Sequence, residues 1–131
     1  MTAGATSERR TGWTSARRIC AFWATAALGV LPAWGSWMWL YLASDEDARG
    51  TAHDRSWPNA AVLSLGGIPL LIAHVVGLAV LVTLAARARR SMGSAAALGV
   101  IVLLGDSLIG LGLSLLLTGG QVVVTPQPFQ P

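Results

Sequence analysis

Three long apolar runs limit what this chain can fold into. Ile19–Ala43 holds no charged residue over 25 positions, Ala60–Ala86 holds only His74 as an ionisable side chain of charge-bearing type over 27, and Ala95–Thr118 holds only Asp106 over 24. About 20 apolar residues in a helix cross a hydrocarbon core of roughly 30 Å, so each run is long enough to span a membrane. The runs occupy more than half of the 131 residues. The segments between them are too short for a separate soluble domain. An all-α integral membrane protein with three transmembrane helices is therefore predicted. Its parts are a basic N-terminal tail (1–18), spans at about 19–43, 60–86 and 95–118, an acidic loop (44–59), a basic loop (87–94) and a Pro-rich tail (119–131).

Composition agrees with this class. Only 11% of residues are charged, against about a quarter in a soluble domain, and 53% are hydrophobic. The net charge of +3 would suit a nucleic-acid partner if the basic residues formed one patch. They do not. All nine basic residues are arginine, and Arg9, Arg10, Arg17, Arg18, Arg87, Arg89 and Arg90 flank the ends of the first two runs. The acidic segment between those runs carries Asp45, Glu46, Asp47 and Asp54 beside Arg49 and Arg55. This segregation is what the positive-inside rule produces, and no nucleic-acid partner is expected. It places the N-terminus and the Arg87–Arg90 loop in the cytoplasm, and the acidic loop and C-terminal tail outside. The absence of lysine beside 21 alanines and 15 glycines resembles the coding bias of a high-GC bacterium, so the expected location is the bacterial cytoplasmic (inner) membrane.

Local signals refine the spans. Ser56 and Pro58 suit the start of the second helix, and Gly119 and Gly120 suit the end of the third. Pro32 and Pro69 fall inside the first and second runs, where each removes a backbone hydrogen bond and can kink the helix. The first run is too long for the apolar core of a signal peptide, and its tryptophans are bulky where a cleavage site needs small residues. Trp34, Trp37, Trp39 and Tyr41, with Trp57, read as interfacial anchors near the outer membrane face. Cys20 stands alone, so no intrachain disulfide forms.

The strongest candidate site is the intramembrane polar pair His74 and Asp106. Counted from the outer face of their antiparallel spans, the two lie about 21 and 18 Å deep, level within one helical turn. A carboxylate at that depth costs about 2.5–3.5 kcal/mol. Asp106 is therefore expected to face the bundle interior and either find a partner, for which His74 is the ionisable candidate, or stay protonated. Asp106, Gly110, Ser114 and Thr118 recur every four residues and form a small, polar ridge leading from the midplane toward the outer surface. No comparable polar side chains continue inward, so the path is half-length.

Other chemistry is not expected. The acidic loop resembles a calcium loop only at its start, because Arg49 and Ser56 occupy positions where ligands are required. A phosphate-binding glycine loop, a nucleophile elbow, HExxH and CxxC are missing, so neither an enzyme nor a bound metal or cofactor is predicted. Three helices make a small bundle with little buried helix surface. The function expected is that of an accessory or assembly subunit, in contact with the lipid bilayer and with a membrane-protein partner or a second copy of itself. The alternative is a small proton- or ion-coupled transporter or channel-like protein built on His74 and Asp106.

Overall fold

A computed structural model describes residues 4–50, 62–88 and 91–124, with side chains for 16–49, 62–88 and 91–124. It is all-helical, and three of its helical segments are long and apolar enough to cross a membrane: Ala16–Arg49, Val62–Ala88 and Met92–Leu117. The helices are α1 (Gly4–Gly50), α2 (Ile68–Ala88), which is preceded by a π-helical turn at Val62–Gly67, and α3 (Met92–Leu117).

Helix α1 is longer than the first apolar run at both ends. Its 47 residues extend about 70 Å, so the backbone is already helical at Gly4 and continues through the acidic segment. No glycine or proline stands between Ala43 and Gly50, and the Arg49 guanidinium pairs with Asp45 one turn earlier at 2.6 Å. Asp45, Glu46 and Asp47 therefore lie on the last turns of α1 and not in the loop predicted to begin at residue 44. Ser56, Trp57 and Pro58 lie outside the described residues.

Pro69 sits at the second position of α2, where the π-helical turn gives way to α-helix. It does not kink the middle of a span. Proline has no N–H to offer the carbonyl four residues earlier and its ring crowds that carbonyl. The carbonyl concerned is that of Leu65. It accepts a hydrogen bond from Trp39 Nε1–H of α1 at 2.7 Å instead, which joins two helices at the point where one of them loses a bond. Pro32 is accommodated within the uninterrupted α1.

Both ends of α3 have caps. Ser91 is extended, and its hydroxyl accepts the Ser94 N–H at 3.2 Å. At the other end Gly119 and Gly120 take φ of +66° and +89°, and the Gly120 N–H reaches back to the Leu115 carbonyl at 2.7 Å. Only glycine adopts such φ values without a Cβ penalty, which is why the helix stops where the two glycines stand. The chain then turns back over α1. Ser44, fully buried, donates to the Tyr41 carbonyl at 2.7 Å and accepts the Val124 N–H at 2.8 Å. The start of the C-terminal tail is thus tied to α1.

Opposing residues define the helix directions. Gly29 opposes Asp106, Trp34 opposes Gly110 and Met38 opposes Ser114, so α1 and α3 run parallel. Val82 opposes Gly99, Gly77 opposes Leu103 and His74 opposes Ser107, so α2 runs antiparallel to α3. Lipid tails are as apolar as leucine, so helices in a membrane associate through close fit at small residues more than through expulsion of water. The contacts here are of that kind. A Cβ on Gly110 would lie 2.6 Å from the Trp34 backbone nitrogen, and one on Gly99 would lie 2.8 Å from Val82 Cγ2. Near the end of α2 the compact core of Phe22, Ala26, Leu81, Ala85 and Ala95 lies at the opposite end from the Val62–Gly67 turn, close to the arginines. Leucine, isoleucine and valine fill the outer faces, among them Leu71, Ile72, Val75, Ile101, Leu104 and Leu108, all half or more exposed.

The Gly110 contact supplies the first test. Gly110→Ala sets a methyl group against main chain that cannot rotate away. It is expected to lower stability by about 2 kcal/mol, within the 1–3 kcal/mol typical of overpacking. Gly112, with nothing within 4 Å of its Cβ position, is the control, and Gly112→Ala should change stability by less than about 0.5 kcal/mol. Unfolding in mixed detergent micelles, titrated with dodecyl sulfate, measures both.

Candidate functional site

The polar side chains of the three helices meet at one level. His74 sits on α2, Trp37 on α1, and Ser107 and Asp106 on α3. Neighbouring positions on a helix point about 100° apart, so Asp106 and Ser107 cannot both face α2. The structure turns Ser107 toward it. His74 Nε2 lies 2.8 Å from Ser107 Oγ, and His74 Nδ1 lies 2.8 Å from the Leu70 carbonyl one turn earlier on α2. A carbonyl only accepts, so Nδ1 carries the hydrogen and Nε2 of the neutral ring accepts from the serine hydroxyl. Ser107 Oγ in turn accepts the Trp37 indole N–H at 3.1 Å. The Trp37 and His74 rings meet edge-on with centroids 6.2 Å apart.

The result is a one-way chain of hydrogen bonds, from Trp37 to Ser107 to His74 to the Leu70 carbonyl, that uses each donor once and links all three helices. Trp37, predicted as an interfacial anchor, thus turns its indole N–H inward to the polar cluster. Trp39 is 54% exposed and bonds the Leu65 carbonyl. Tyr41 is partly exposed, and Trp34 is half-buried, its indole nitrogen enclosed without a hydrogen-bond partner.

Asp106 faces the other way, toward α1. It is 8% exposed. Among the described residues no hydrogen bond or ion pair reaches its carboxyl group, and none joins it to His74. Its place against α1 depends on Gly29, where a Cβ would come within 2.5 Å of Asp106 Oδ2. The predicted ridge continues along the same face. Gly110 is buried against Ala33 and Trp34, and Ser114, 3% exposed, donates to Met38 Sδ at 3.9 Å. Thr118 closes the last turn by donating to the Ser114 carbonyl at 3.0 Å. The ridge thus serves as the packing surface of α3 on α1.

His74 and Asp106 do share one feature. Both line a cavity of about 350 Å³ between α1 and α2, with α3 as its floor. Leu28, Pro32, Val76 and Val80 form its exposed rim, whereas Ala33, Leu81 and Asp106 are buried. The opening is lateral, between helices, and not at either end of the bundle.

Charged groups outside the spans segregate. Arg18 of α1 donates to the Arg87 carbonyl at the end of α2 at 3.3 Å, which fits the preference for cations at helix C-termini. Asp45, Glu46 and Asp47 lie at the other end of α1. Among the described residues no group of three His, Cys, Asp or Glu side chains is placed to hold a metal ion; His53 and Asp54 lie outside them. No family model matches this chain, and neither a curated protein nor a solved structure gives a match.

Sequence reasoning missed Ser107 as the partner of His74 and Ser44 as the anchor of the tail. The depth count that set Asp106 level with His74 holds equally for its neighbour, so Ser107 was within reach of that signal. Ser107→Ala removes the middle of the chain and leaves two polar nitrogens without partners. It is expected to cost about 1 kcal/mol, between the roughly 0.6 kcal/mol typical of hydrogen bonds between membrane helices and the upper range for stranded polar groups. Trp37 fluorescence, isolated in a chain whose other tryptophans are replaced by phenylalanine, should shift as the indole loses its acceptor.

Proposed function

We propose that this chain is a small, non-catalytic multi-pass protein of the bacterial cytoplasmic membrane that acts as an accessory or assembly subunit of a membrane complex. The observation that carries the reading is the way its interior polar groups are used. The Trp37–Ser107–His74 chain ends on the Leu70 carbonyl with its members satisfied by one another, and the ridge from Gly110 to Ser114 is covered by α1. Toward the arginine-bearing end, Phe22, Ala26, Leu81, Ala85 and Ala95 fill the interior. A conduit across the membrane would need polar groups on both sides of the midplane. A bundle so closed has its outer faces to offer, and those faces suit lipid and the helices of another membrane protein or a second copy. The arginine bias supports an orientation with the N-terminus cytoplasmic and the C-terminus outside.

One observation favours the second reading, a proton- or ion-coupled carrier. Asp106 is buried beside a cavity without a hydrogen-bond partner among the described residues, as the acid of a coupling site would be. Two measurements separate these readings. Purification in mild detergent with mass spectrometry should recover a membrane protein, or a second copy, in fixed ratio with this chain; a lone monomer counts against the accessory role. Proteoliposomes carrying the native protein should pass protons no faster than empty ones. A flux that Asp106→Asn abolishes would replace the first reading with the second.

A further inference from the structure

We propose that the cavity between α1 and α2 is a binding site for a lipophilic primary ammonium compound that enters from the lipid and is held by Asp106. This goes beyond the accessory role and does not depend on it. Four features of the site converge on that class of ligand.

Asp106 is 8% exposed as a residue, lines the cavity and has no hydrogen-bond partner among the described residues. An ionised carboxylate only accepts hydrogen bonds, so the complementary ligand group is a donor. A carboxylate and an ammonium in contact are neutral as a pair, which a low-dielectric site accommodates better than either ion alone. The walls offer the carboxylate no hydrogen-bond donor of their own from His74, since both of its ring nitrogens are engaged by Leu70 and Ser107. One carboxylate with apolar walls cannot replace the hydration shell of a metal ion, which takes six or more oxygens in the case of calcium.

Shape and access agree. A volume of about 350 Å³ falls at the lower end of the range for small-molecule sites. The depth of the site is apolar apart from Thr25, His74 and Asp106, so the rest of the ligand must be hydrocarbon. Leu28, Pro32, Val76 and Val80 form the rim on the lipid-facing side. The interior route is closed one way by Leu81 and the core beside it, and the other way by the Gly110 contact with the α1 backbone. The bilayer is the source that geometry leaves open.

The test uses the full chain in nanodiscs of phosphatidylcholine, with empty nanodiscs to subtract partitioning into lipid. Calorimetric titrations compare phenylbutylamine with phenylbutanol, a neutral molecule of nearly the same shape. The native protein is expected to bind the amine at least about tenfold more tightly than the alcohol, a step equal to about 1.4 kcal/mol. Asp106→Asn should remove that preference and leave the alcohol unchanged. Ala73→Leu, which retains the carboxyl group and fills the cavity, should weaken both ligands and covers the case in which Asp106→Asn does not fold. Equal binding of amine and alcohol by the native protein, amine binding unaltered in Asp106→Asn, or amine binding unaltered in Ala73→Leu would each overturn the proposal. So would an absence of amine binding by the native protein, as when a co-purifying chain fills the cavity.

Discussion

At Gly110 the backbone of α3 lies so close to that of α1 that a single added carbon would come within 2.6 Å of the Trp34 nitrogen. Main chain against main chain has no rotamer to relax into, so this contact sets both the register and the rotation of the two helices. One turn along α3 in one direction it brings Asp106 against Gly29. One turn in the other direction it brings Ser114 to Met38. With α3 held in that rotation, Ser107 points at α2 and meets His74, and Trp37 reaches the same hydroxyl from α1. The polar cluster and the position of the carboxyl group rest on this contact together with the close approaches at Gly29 and Gly99.

The polar groups within the bundle divide into two sets with different physical standing. In hydrocarbon there is no water to satisfy a stray donor or acceptor, so a buried polar group either bonds within the protein or costs free energy. Trp37, Ser107 and His74 follow the first course, each donor used once and ending on a backbone carbonyl. The Leu65 carbonyl follows it too, exchanging the N–H that Pro69 lacks for the indole of Trp39. Asp106 does not. The same glycine contact that lets α1 and α3 close together holds its carboxyl group at the edge of a cavity that neither helix fills.

Particular residues show how far the sequence could be read. The three apolar runs, the glycine stop after α3 and the separation of arginines from acids follow from local chemistry, and all three have counterparts in the structure. The end of α1 was not legible, because a string of aspartate and glutamate resembles a loop until the Arg49–Asp45 pairing and the absence of a breaker are considered. Pro69 reads as a kink inside a run, yet it stands where a π-helical turn passes into α2. Trp37 belongs by composition to an aromatic belt, but one position in the rotation of α1 makes it an interior donor.

Without the structure, the sequence settles the helical class, the three helices long and apolar enough to span a membrane, and the sorting of charge to their ends. Those properties depend on run length and on the cost of placing charge in hydrocarbon, and both can be counted along a single chain. Which of two adjacent residues, Asp106 or Ser107, meets His74 was decided only by tertiary structure. So were the inward turn of Trp37, the anchoring of the tail on Ser44 and the existence of the cavity. A change of one residue rotates a side chain about 100° around the helix axis, and the choice among such rotations rests on where two backbones touch, here at a glycine without a Cβ.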